Sequence, residues 1–140
     1  MKFLRGDFLK HSGISYVTIA DKYGRYTGYA NLHENDREFA SKFTGCRIAE
    51  QRAYIKLLHN NIKRNKIMLK VIRNLKKDIE LNCKDIDPAV LRRINLKLRD
   101  YSNEINYNKD KIAEIKTNIK KSIEIKDNIN KRSKEIKEDK

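Results

Sequence analysis

The segment LNCKDIDPAVL, Leu81 to Leu91, decides the fold. It interrupts two long stretches of helical periodicity. Asp87 followed by Pro88 is a strong helix start, because aspartate caps the free N–H groups of a first turn and proline suits that turn. Upstream, between Arg47 and Leu81, Ile48, Ile55, Ile62 and Leu69 recur at seven-residue steps. Leu58, Ile72 and Ile79 fill the companion seam, and Tyr54, Met68 and Leu75 widen it. Downstream, Leu91, Leu98, Ile105, Ile112 and Ile119 hold one heptad position. Ile94, Tyr101, Ile115, Ile129 and Ile136 hold the other, interrupted by Asn108 and Ser122.

Two helices, at about 47–81 and 88–137, joined by a short connection are expected to fold back antiparallel. That register places Ile48 near Lys121 and Ile62 near Tyr107. The second helix outruns the first. Its tail, Ile123–Lys140, is left to pack beside the N-terminal region, to pair with another chain as a homodimer, or to fray.

Composition changes near residue 46. All five glycines and all four phenylalanines lie at or before Gly45. The profile predicts an N-terminal head, 1–46, and a helical hairpin, 47–140. In the head, ISYVTIAD (Ile14 to Asp21) is β-branched and aromatic, as strands prefer. KYGR supplies a turn, with Gly24 able to take positive φ in a bulged hairpin loop. YTGYANLH returns, with Tyr26, Gly28, Ala30 and Leu32 on one face and Tyr29 on the other. The first ten residues are compatible with a short strand or a turn. Asp36 reads as the N-cap of a short helix ending near Phe43, with Gly45 breaking it or Thr44 capping the next. The fold class is α+β, mostly α: a β-hairpin head on a long antiparallel, coiled-coil-like helical hairpin.

Charge is the strongest functional signal. The 140 residues hold 33 Lys and Arg against 19 Asp and Glu, a formal net charge of +14. Residues 47–81 concentrate it, with ten basic and three acidic groups. Arg52, Lys56, Lys63, Lys66, Lys70, Arg73 and Lys77 follow one another at three- to seven-residue spacing, with His59 in the widest gap. On a helix they form one stripe beside the apolar seam. Like charges one turn apart repel, so the stripe calls for a counter-charge. Asp100, Glu104 and Glu114 of the second helix are the internal candidates. An anionic partner, nucleic acid or an acidic protein face, is the external one. Few aromatics interleave with the stripe, which argues against single-strand base stacking.

Catalytic chemistry has little foothold. His33 and Asp36 form a general base and a carboxylate, but no nucleophile stands at a readable spacing. A strand end and a helix cap account for both. Three scattered histidines and two distant cysteines, Cys46 and Cys83, match no metal-ligand spacing. No cofactor is expected. No apolar run is long enough to span a bilayer, and the first residues lack a signal-peptide pattern. Cysteines about 55 Å apart along a helix cannot bridge, which fits a cytoplasmic setting in the host cell.

The run GYANLHENDREFASKFTGCRIAEQRAYIK resembles a family of small proteins carried by phages and mobile elements of low-GC Gram-positive bacteria. The resemblance rests on Gly28, Ala30, His33, Asp36, Gly45, Ile48, Ala49, Arg52, Ala53 and the following Lys56. The family often has Pro after the His and a second Asp, where this chain has Glu34 and Asn35. The long second helix lies outside the resemblance. It implies a protein that acts on host machinery, including anti-CRISPR and other anti-defence inhibitors. The leading expectation is therefore a non-enzymatic inhibitor that meets a host nucleoprotein complex or nuclease through the basic stripe. The alternatives are a DNA- or RNA-binding accessory protein and a structural coiled-coil component.

Overall fold

The computed structural model describes residues 2–9, 13–31 and 38–138. Three strands precede two helices: β1 (Lys2–Leu9), β2 (Ile14–Asp21), β3 (Gly24–Asn31), α1 (Glu38–Asn82) and α2 (Pro88–Glu138). The class is α+β, mostly α, as the sequence predicts.

The strands form one antiparallel sheet in the order β1-β2-β3. The first residues are thus a third strand, with an irregularity between Phe3 and Arg5. Gly13, between β1 and β2, has φ 65°, a conformation that glycine reaches without steric cost. β2 alternates as its sequence suggests, with Ser15, Val17 and Ile19 buried. On its other face the hydroxyls of Thr18 and Thr27 share a hydrogen bond of 2.8 Å across the strands.

The β2–β3 turn falls at KYGR, as read from the sequence, but does not use the positive φ open to Gly24. Gly24 pairs with Asp21 as the first residue of β3 and does not take positive φ; Gly13 alone does so among the described residues. The Asp21 carboxylate closes the loop instead, accepting N–H bonds from Tyr23 and Gly24 at 2.8 and 3.0 Å. A side chain that mimics a backbone acceptor removes the need for a bulge.

The expected break at Gly45 is also absent: α1 runs without interruption from Glu38 to Asn82. Glycine inside a helix costs about 1 kcal/mol relative to alanine. Tertiary packing uses it here, since a Cβ on Gly45 would lie 2.5 Å from the Ser15 hydroxyl. Gly28 makes a closer approach. A Cβ there would collide with the Ala49 carbonyl and lie 2.5 Å from the Ala53 nitrogen. The backbone of β3 therefore rests directly on α1, and Ala49 and Ala53 are fully buried beneath it. Leu32, His33 and the Asp36 cap fall outside the described residues.

Contacts divide the chain into two compact units. One comprises Met1–Leu57 with Ile112–Lys140; the other is Leu58–Lys111. The composition boundary at residue 46 separates element types, whereas the compact units divide within both helices. The tail that begins at Ile123 is grouped with the head's unit.

In the second unit the two helix segments, joined by 83–87, bury one seam each. Leu58, Ile62, Asn65 and Leu69 are buried on α1, and Ile94, Ile105 and Asn108 on α2. On α1 these positions alternate steps of four and three, and on α2 the half-buried Leu98 and Tyr101 complete the same alternation between Ile94 and Ile105, the seam pattern of paired helices. Tyr107 is 65% exposed and Asn108 only 4%, so it is Asn108 that holds the seam, as the heptad count places it. A seam step lands on Asn108 whatever its polarity, and the bulkier Tyr107 is turned outward.

Candidate nucleic-acid interface

The seam fixes the phase of every other residue on the two helices. On α1 the residue after each seam position lies on one flank. In the second unit these are His59, Lys63, Lys66, Lys70, Arg73, Lys77 and Glu80. They form two heptad rows, Lys63-Lys70-Lys77 and His59-Lys66-Arg73, and every cation in them is exposed. From Lys63 to Lys77 the rows extend about 21 Å at 1.5 Å per residue.

The same rule applied to α2 gives Arg92, Asn95, Arg99, Ser102, Asn106 and Lys109. Antiparallel helices related by a two-fold across their seam keep equivalent flanks on the same side. This second set therefore adjoins the α1 stripe. It adds three exposed cations and no acid. Arg92 and Arg99 also flank a shallow groove of about 500 Å³, lined by Pro88, Leu91, Asn95 and Leu96. Sequence reasoning missed these arginines, because the phase of α2 against α1 is needed to place them beside the stripe.

The internal counter-charges do not sit there. Asp100, Glu104 and Asp110 occupy α2 positions away from this flank. Glu114 belongs to the other unit and has an interaction of its own. Glu80, next to the connection, is the one acid among the described flank positions of this unit. A flank on which cations outnumber acids by so much, with no Phe, Tyr or Trp, is suited to a row of phosphates. Asn95, Ser102 and Asn106 add neutral donors that a phosphate oxygen can also accept from.

The remaining two residues of the predicted stripe, Arg52 and Lys56, lie in the first unit. Arg52 Nη1 donates to the Tyr29 carbonyl at 2.7 Å, and Lys56 Nζ donates to the Thr27 carbonyl at 2.6 Å. The Lys56 ammonium also stands 5.6 Å from the centre of the Tyr29 ring. Both side chains remain exposed while supplying donors to β3, an edge strand of the sheet. Edge strands invite pairing with other chains, and charged side chains laid along them discourage it.

Among the described residues no group of three His, Cys, Asp or Glu side chains is placed to hold a metal ion. Cys46 and Cys83 are free thiols. No helix among the described residues is long and apolar enough to cross a membrane. Comparison with known families, characterised proteins and solved structures returns no match. The function has to be sought in the chain's own surface.

Proposed function

We propose that the protein is a non-enzymatic nucleic-acid-binding protein whose basic flank, in the unit Leu58–Lys111, docks along a phosphate backbone. The observation that carries this reading is charge segregation. Lys63, Lys66, Lys70, Arg73 and Lys77 on α1, with Arg92 and Arg99 on α2, share one flank from which the acids of α2 are absent. Repulsion along such a flank is relieved when phosphates displace the salt around it. The flank offers no aromatic platform and few base-reading side chains, so binding is to backbone and largely indifferent to sequence.

In the phage or mobile-element setting that the resemblance implies, this surface competes for the nucleic acid of a host complex. A CRISPR or other defence nuclease denied its guide or target would be inhibited without any chemistry by this protein. A gel shift with purified protein and duplex tests the core of the proposal. The charge-reversed variant K63E/K66E/K70E/R73E should lose the shift at unchanged helicity by circular dichroism. No shift at low salt with the wild-type protein overturns it. Capture of a host partner that survives nuclease treatment would point instead to an acidic protein face.

A further inference from the structure

The basic flank has no Phe, Tyr or Trp; exposed tyrosine and cations meet instead on the sheet of the head. Residues paired across strands share a face. Ser15, Val17, Ile19, Gly28 and Ala30 are buried on the face toward α1, where Gly45 and Ala49 lie against Ser15 and Gly28. The opposite face is built in rows. Tyr16 and Tyr29 stand directly opposite each other in one row, Thr18 and Thr27 in the next, Ala20 and Arg25 in the one after. β1 extends these rows with Asp7, Arg5 and Lys2. At about 3.4 Å per residue the rows are about 7 Å apart.

Tyr29 is 55% exposed and Tyr16 half-buried, while Lys2, Arg5 and Arg25 are exposed. The Lys56 ammonium, 5.6 Å from the centre of the Tyr29 ring, brings a fourth positive charge to this face. Asp7 is its one acid among the described residues and has an interaction of its own. Thr18 and Thr27 are short, and their hydroxyls are bonded to each other. No bulky side chain of β2 or β3 therefore separates the rings from Arg5, one row away, or from Lys2 and Arg25, two rows away. Rings on which bases stack, rimmed by cations that meet phosphates, are the two elements with which a sheet holds unpaired nucleic acid. A duplex offers no free base plane along its length and cannot use the rings.

We infer that this face binds a single strand of nucleic acid, with bases stacked on Tyr16 and Tyr29 and phosphates held by Lys2, Arg5 and Arg25. Charge complementarity and the paired rings together select this occupant. An anion without a planar group would meet the cations and leave the rings unused. The face lies in the unit of the head and the basic flank in Leu58–Lys111, so each surface can be altered without touching the other. With three phosphates met, log K falls against log salt with a slope of about −2.1, at about 0.7 per contact on a single strand. That is shallower than five cations give on a duplex.

Fluorescence anisotropy of a labelled oligothymidylate of about ten nucleotides, with the full chain, reads this binding. K63A/K66A/K70A/R73A serves as the background, because it strips four cations from the flank and leaves the chain positive. The single strand should stay bound to it. On that background Tyr29→Ala should weaken binding at least about fivefold, the low end for one stacked base, and Tyr29→Phe, which keeps the ring, should restore it. Tyr29 is exposed, so neither should alter the circular dichroism. Arg5→Ala with Arg25→Ala should weaken binding and bring the salt slope to about −0.7. With the flank intact, duplex binding should not respond to Tyr29→Ala. Irradiation of a strand carrying iodouracil should cross-link it to the segment holding Tyr16 or Tyr29. Oligothymidylate and oligouridylate run in parallel show which sugar the face takes, and binding of neither overturns the inference. So does single-strand binding that is unmoved by Tyr29→Ala, or that is lost when the flank is stripped. A duplex that fails to shift at low salt overturns the flank alone, and the sheet site stands where the Tyr29 dependence holds.

Discussion

The salt dependence of binding gives the most quantitative test of the basic flank. Each phosphate neutralised by a Lys or Arg releases condensed counterions, and log K falls with log salt at about 0.9 per contact on a duplex. If Lys63, Lys66, Lys70, Arg73 and Lys77 each meet a phosphate, the slope is about −4.5. Raising salt from about 50 to about 200 mM then weakens binding roughly 500-fold. Replacing Lys70 and Arg73 by alanine removes two contacts. The slope should become shallower, at about −2.7, and the loss over the same salt range should shrink to roughly 40-fold. Both residues are exposed and off the seam, so the helices should remain intact. Fluorescence anisotropy of a short labelled duplex, titrated at several salt concentrations, measures both slopes. A slope unchanged by the double substitution would mean that these cations do not touch phosphate. If Arg92 and Arg99 take part, the wild-type slope is steeper, and R92A/R99A should reduce it by a similar amount.

Three further outcomes follow from packing. Gly28→Ala drives a methyl group into the Ala49 carbonyl, and forced overpacking of this kind costs about 1–3 kcal/mol or more, readable by urea denaturation. Arg52→Ala removes the donor on the Tyr29 carbonyl and should cost about 1 kcal/mol of stability, because that edge carbonyl regains water; a change above about 3 kcal/mol would contradict the hydrogen bond's modest net value. Asn108→Leu replaces a buried amide whose Nδ2 has no hydrogen-bond partner with an apolar side chain at the same seam position. It should raise the thermal midpoint, by the equivalent of about 1–3 kcal/mol, and a fall would show that the amide is satisfied.

The helices were legible because a heptad repeat states both the period and the buried face. The strand β1 was not, for the opposite reason. Lys2–Asp7 are all exposed, so no alternation of burial is written into KFLRGD, and the strand exists through its pairing with β2. Gly45 misled because helix propensity is local, whereas the requirement for a residue without Cβ comes from Ser15, thirty positions away. The α1 part of the basic flank could be read from spacing alone. Its α2 part could not, because Arg92 and Arg99 join it only through the antiparallel register.

The two buried asparagines bear on alignment. A seam of isoleucine and leucine is nearly degenerate: sliding one helix past the other by a heptad exchanges one aliphatic layer for another. Asn65 on α1 and Asn108 on α2 each place in that seam an amide whose Nδ2 has no hydrogen-bond partner. A buried amide left unpaired costs free energy, so the seam gives up stability at both positions. The side on which Arg92 and Arg99 lie is set by the phase of α2, which a slide of seven residues leaves unchanged. The positive charge of α2 therefore stays on the flank of the α1 cations whichever aliphatic layers face one another.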